Sequence, residues 1–204
     1  MSYSTYAVAD LLDAFASSEP FPGGGSAAAL TGAVGVSLLM MVAAVPRTRR
    51  GTVEETADLA AASARLRPLR DTLAELVDRD SAAYQAVIAA YRLPKNAARA
   101  DAIVAAMRGA TETPLAMMRA CAEALDIAGV VAEKGVVSAA SDVRVAIELI
   151  LTAVRGAGLS VDANLVSMKE EAAFVAGARA ERQKLEEAAV VSADRARRLL
   201  PSAV

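Results

Sequence analysis

The chain contains no histidine, and that absence decides which of its other polar side chains have to carry any chemistry. Ser-His-Asp and Cys-His nucleophile systems are excluded, and so is nearly every zinc or copper site. Acid–base work falls to carboxylates, Lys, Tyr, Cys or bound water. Asp80 is the first candidate. A leucine seam reaches Leu73 and Leu76 and continues at 3,4 spacing onto Asp80, then Ala83, Val87 and Ala90. A neighbouring face through Leu73, Val77, Tyr84, Ile88 and Tyr91 passes through the same position. A carboxylate facing a core is costly unless it is paired or hydrogen-bonded. Asp80 is therefore a functional group, half of a buried ion pair with an arginine, or a residue on a turn that faces solvent.

Lys95 follows Pro94 at a helix junction and is one of four lysines in an arginine-dominated chain. A desolvated lysine can release its proton, which an arginine cannot, although a solvated loop lysine has the same local sequence. Ser141-Asp142 opens a helix after an apolar loop; ordinary N-capping accounts for the pair as well as a site does. Asn164 is an amide in an apolar stretch, suited to orienting a ligand or to satisfying a buried backbone group.

The segment Pro20-Phe21-Pro22-Gly23-Gly24-Gly25-Ser26 leads into a run of small residues. Gly23-x-Gly25-x-x-Ala28 matches a dinucleotide fingerprint in form, but no strand precedes it and no acidic residue follows about twenty positions on. No Gly-Lys-Ser/Thr follows either, which excludes a phosphate loop. What remains is a helix N-terminus with open backbone N–H groups, able to hold an anion or a polar ring edge, or a device for close helix approach. Arg47-Thr48-Arg49-Arg50 is a solvated loop or a contact for an anionic tail.

These groups must be positioned by helices. Residues 1–204 are long enough for one sizeable core, and the 55% hydrophobic content is mostly Ala, Val and Leu with 3% aromatics. That composition favours small-residue helix interfaces over a β-sandwich. A net charge of −2, with both signs dispersed, offers nothing for nucleic acid. Cys121 is the single cysteine, which excludes an intrachain disulfide and fits a cytoplasmic setting.

The pattern predicts helices over 4–17, with Val8, Leu11, Leu12 and Phe15 on one face, and over 26–45. A third helix spans 52–91, its seam running Leu59, Ala62, Leu66, Leu69, Leu73 and Leu76, with Pro68 kinking it or starting a second. Further helices are expected over 96–108, from a Thr111 cap to Lys134, over 142–157 with Gly156 and Gly158 interrupting the next stretch, and over 168–200. The last has Phe174, Ala178, Leu185, Ala189, Ala196 and Leu199 on one stripe. The uncharged run from Pro20 to Pro46 reaches the length of a membrane span, but its first half is Ala, Gly, Ser and Thr, which gain little from lipid. No basic region precedes it, so no signal peptide is expected. The expectation is one all-α domain, an antiparallel helical bundle with a buried central small-residue helix and no membrane anchor.

Taken together, several segments resemble the cyclodeaminase/cyclohydrolase family of folate enzymes. They are Leu12-Asp13-Ala14-Phe15-Ala16-Ser17-Ser18 with Pro22 to Ala29, Gly32-Ala33-Val34-Gly35, Asp80-Ser81-Ala82-Ala83-Tyr84 and Ala90-Tyr91-Arg92-Leu93-Pro94-Lys95. Thr113-Pro114-Leu115, Val131-Ala132-Glu133-Lys134-Gly135, Ser141-Asp142, Arg155-Gly156-Ala157 and Asn164-Leu165 come after them in order.

The resemblance implies an all-helical homodimer acting on the one-carbon unit of tetrahydrofolate. The reaction is either hydrolysis of 5,10-methenyltetrahydrofolate or cyclisation of 5-formiminotetrahydrofolate with loss of ammonia. It implies Asp80, Asp142 and Lys95 as catalytic groups, and Gly23, Gly24, Gly25, Ser26, Ser141 and Asn164 as substrate-binding ones. No metal and no cofactor beyond the folate itself are implied. The chain departs from the family's pattern where Gly135-Val136-Val137-Ser138 replaces Gly-Asn-x-Asn, where Ser160 replaces an Asn, and where residues 45–50 replace a Gly-Lys-rich segment. A relative that kept the bundle and lost turnover is the rival reading.

Overall fold

A computed structural model describes residues 2–45, 51–168 and 170–201. The Arg47–Arg50 expectation lies outside these residues. Six α-helices account for most of the described chain, and no strand occurs among the described residues. After a 3-10 turn at Tyr3–Thr5 come α1 (Val8–Ala16), α2 (Gly24–Ala44), α3 (Val53–Arg92) and α4 (Ala97–Lys134). A second 3-10 turn at Val137–Ala139 leads to α5 (Ala140–Leu165) and α6 (Ala172–Leu199).

Local signals set two of the starts. Thr52 accepts the Glu55 N–H at 3.1 Å while Glu55 accepts the Thr52 N–H at 2.8 Å, a reciprocal cap for α3. Asn96 caps α4 by accepting the Arg99 N–H at 3.0 Å. Elsewhere the helices are longer than their local sequence predicts. Pro68 starts no second helix: α3 continues past it, because Pro68 and Ala64, whose carbonyl the proline leaves without a donor, are both exposed to water.

Thr111 does not cap a helix. It is buried inside α4, where its hydroxyl donates to the Met107 carbonyl at 2.9 Å. Gly156 and Gly158 do not interrupt α5 either; a Cβ at position 156 would stand 3.2 Å from Ala28 of α2. In α1 only Leu11 is buried. Phe15 is half-buried, and Val8 and Leu12 face solvent.

The predicted seam of α3 is buried at Leu59, Ala62, Leu66, Leu73 and Leu76, and partly at Leu69. On α6, Ala178, Ala189 and Ala196 are buried, Phe174 and Leu185 partly so, and Leu199 is exposed. α2 lies between α3 and α5 and runs antiparallel to both, with Gly25 beside Asp80 and Gly32 beside Leu73 and Ala153. α4 packs against α2, α3, α5 and α6 and shares the centre. α6 runs parallel to α4, as the Arg108–Glu171, Arg119–Glu181 and Arg195–Asp126 pairs show in sequence.

α2 is long and apolar enough to cross a bilayer, with mean hydropathy 2.0, but half of that stretch is buried inside the bundle. Close approach explains its small residues. A Cβ at Gly35 would stand 2.6 Å from Ile150 Cγ1 and 3.0 Å from the Ala146 carbonyl oxygen. One face stays uncovered: Leu30, Thr31 and Leu38 are half-buried, and Val34 and Met41 are exposed.

Candidate active site

Three helix faces and one turn enclose a cleft of about 420 Å³. α3 contributes Asp80, Tyr84, Val87 and Tyr91, one stripe at 3,4 spacing. Met107 and Ala110 come from α4, and Ser160, Ala163, Asn164 and Ser167 from the end of α5 and just beyond. The turn before α2 closes the cleft with Phe21 and Gly23–Gly25. Phe21 and Tyr84 meet at 6.5 Å between ring centroids, tilted by 57°. Three of the chain's seven aromatic rings (four Tyr, three Phe) thus gather at one opening, which suits a flat heteroaromatic ligand.

Asp80 answers what the glycine turn grips. Its Oδ2 accepts the Ser26 backbone N–H at 2.8 Å and lies 3.0 Å from Ser26 Oγ. Ser26 is the third residue of α2, so the carboxylate caps that helix from 54 residues away and meets its positive end. The Ser26 hydroxyl also reaches the Val77 carbonyl at 2.8 Å, and Ser81 Oγ at 3.2 Å can donate to it. A Cβ at Gly25 would stand 2.1 Å from Asp80 Oδ1, so only glycine admits the carboxylate. Oδ1 has no hydrogen-bond partner among the described residues, and Asp80 lines the cleft. Burial pushes the Asp80 carboxyl above its ordinary value, and the bonds from Ser26 pull it down without cancelling the rise. No arginine pairs with it among the described residues.

Ser26 is fully buried and outside the lining, because its N–H and hydroxyl turn inward. Its polar groups are spent on Asp80 and the Val77 carbonyl, so in this structure Ser26 positions Asp80 and does not itself line the cleft. Asn164 does line the cleft, and its Nδ2 donates to the Ala110 carbonyl at 2.8 Å. Lys95 stands in the exposed turn between α3 and α4, four positions beyond Tyr91 and outside the lining.

Ser141 and Asp142 are not brought to Asp80 within the chain. They sit in the first turn of α5, roughly 33 Å along that helix from Asn164 at about 1.5 Å per residue. Ser141 caps nothing there, since α5 already begins at Ala140 without a side-chain cap. Of the positions where the family pattern has Asn, Ser160 lines the cleft, while Val136 and Ser138 stand at the Asp142 end. Cys121 plays no part: it is fully buried and its thiol is pushed up to about 12. Among the described residues no cluster of three His, Cys, Asp or Glu is arranged to hold a metal ion.

The formiminotransferase-cyclodeaminase family model matches residues 7–184. The chain belongs to that family. It is 42% identical over 166 residues to a methenyltetrahydrofolate cyclohydrolase of Methylorubrum extorquens, covering 79% of this chain and 80% of that protein. It is 31% identical over 156 residues to the formimidoyltransferase-cyclodeaminase of Sus scrofa, covering 74% of this chain but 29% of that longer protein. The fold matches that of a formiminotetrahydrofolate cyclodeaminase from Thermotoga maritima, with a TM-score of 0.88, 22% identity and 96% of each chain covered. Every motif that carried the resemblance, from Leu12 to Leu165, falls inside the matched span of this cyclodeaminase-type chain.

Proposed function

We propose that the cleft binds a tetrahydrofolate derivative and that Asp80 moves protons at its one-carbon unit. The observation that carries this is the Asp80 carboxylate, a cleft-lining group held through Oδ2 by Ser26 with no hydrogen-bond partner on Oδ1 among the described residues. Similarity to a methenyltetrahydrofolate cyclohydrolase supports hydrolysis as the direction; cyclisation of the formimino derivative with loss of ammonia uses the same groups. In hydrolysis, water adds to the cationic carbon between N5 and N10, and Asp80 takes one water proton as the C–O bond forms. The C–N5 bond then breaks, the adduct's hydroxyl proton leaves, and N5 receives a proton from Asp80. The 10-formyl product forms with one proton released to solvent. A carboxyl raised by burial is a stronger base for the first step.

Phe21, Tyr84 and Tyr91 suit the pterin ring, the Gly23–Gly25 backbone shapes its pocket, and Lys95 serves at the rim on the charged part of the substrate. The same reading has a cytoplasmic homodimer, without nucleic acid or membrane. The uncovered face of α2 supports the dimer. Two α2 helices pairing antiparallel about Val34 would bring the Asp142 turn of one copy, level with Val42 through Gly135, to the Gly25 turn of the other. Asp142 and Ser141 then act on the neighbouring cleft.

Absorbance of 5,10-methenyltetrahydrofolate, followed with wild type and Asp80→Asn, tests the reading. Turnover in the wild type and a loss of about a hundredfold or more in the variant are expected. No turnover in either direction with folate still bound would assign the protein to ligand binding; no binding at all would remove folate from it.

A further inference from the structure

Pro114 is buried in the middle of α4, where a proline has no N–H to give the carbonyl four residues back. That carbonyl belongs to Ala110, which lines the cleft. An orphaned carbonyl at Pro68 faces water, whereas this one is partly enclosed and takes its hydrogen from Asn164 Nδ2 at 2.8 Å. The bond settles the amide's orientation, because only the NH2 end can face a carbonyl oxygen. Asn164 Oδ1 is thereby left as an acceptor on a cleft-lining side chain.

We propose that Asn164 reads a hydrogen-bond donor on the substrate through Oδ1, and that Pro114 is the positioning residue that fixes which end of the amide does so. The ligand feature selected is an N–H-bearing edge of a heterocycle, such as an amino-substituted ring. A carbonyl at the same place would meet oxygen against oxygen and be rejected. The inference rests on the cleft being the folate site, and it gives the helix-breaking residue in the core of α4 a role.

The test joins kinetics with the amide's own signal. Pro114→Ala returns an N–H to the Ala110 carbonyl and frees the amide to turn; KM for 5,10-methenyltetrahydrofolate rises about tenfold with kcat little changed. Asn164→Asp sets a carboxylate against the Ala110 carbonyl and raises KM further. The double variant Pro114→Ala/Asn164→Asp recovers toward wild type, because the carbonyl is satisfied by the helix and the acceptor is retained. Pro68→Ala, the exposed counterpart, leaves KM unchanged.

Independently of turnover, the Asn164 side-chain NH2 resonances, assigned by their loss in Asn164→Asp, exchange slowly in wild type and rapidly in Pro114→Ala. Additive KM effects in the double variant, or an unprotected amide in an active wild type, overturn the inference. A protected amide in a protein that neither binds nor turns over folate overturns the functional reading instead, and with it the substrate contact.

Discussion

At the scale of single residues, Asp80 and Gly25 form a unit that neither makes alone. Gly25→Ala places a methyl carbon 2.1 Å from Asp80 Oδ1, so the carboxylate must leave its Ser26 bond. A displacement of that size lowers kcat/KM by about a hundredfold, measured in the methenyl assay. The pH profile carries a second signature. Asp80 must be ionised to act as a base, so kcat/KM falls as pH drops through a midpoint above the ordinary carboxylate range, and Asp80→Asn loses that limb.

Stability runs the other way. The folded-state carboxyl is raised, so the fold binds a proton that the unfolded chain has released, and stability declines as pH rises from the ordinary value through the raised one. Asp80→Asn, which keeps an acceptor for the Ser26 N–H, has an unfolding midpoint at pH 7 at least as high as wild type by calorimetry. Asp80 was legible because a carboxylate interrupts a leucine seam. The need for glycine at position 25 was not, because the clash comes from a residue 55 positions away.

At the scale of elements, signals that end helices were outvoted by packing. Thr111 followed by Pro114 reads as a new start, yet α4 continues because Asn164 replaces the donor that the proline removes. Gly156 reads as a break, yet its lack of a side chain lets α5 approach Ala28. Local sequence names the residue that frees a backbone group; only the fold supplies the group that satisfies it. Gly35 is the strictest of these contacts, set against Ile150 and a backbone carbonyl that cannot swing aside. Gly35→Ala costs about 1–3 kcal/mol of stability, seen as a lower urea midpoint with an unchanged slope.

At the scale of the whole molecule, the all-helical bundle was legible in composition and periodicity, while the separation of Asp142 from Asp80 was not. Chain order does not reveal which end of a long helix faces a given neighbour. If α2 forms the proposed dimer face, wild type sediments as a dimer and Met41→Glu, which puts a charge on that face, as a monomer with activity lost. Mixing inactive Asp80→Asn with inactive Asp142→Asn tests the shared site directly. Random exchange makes half the dimers hybrids with one intact site each, so about a quarter of wild-type activity returns. No recovery from freely exchanging subunits would place Asp142 outside the neighbouring cleft.

The scarcity of aromatic residues makes the cleft visible to spectroscopy. With no tryptophan to absorb its excitation, the protein's ultraviolet emission comes from four tyrosines, and two of them, Tyr84 and Tyr91, stand at the cleft. Occupancy therefore reports itself: a ring stacked there quenches a large share of the emission, giving a label-free titration that needs no turnover.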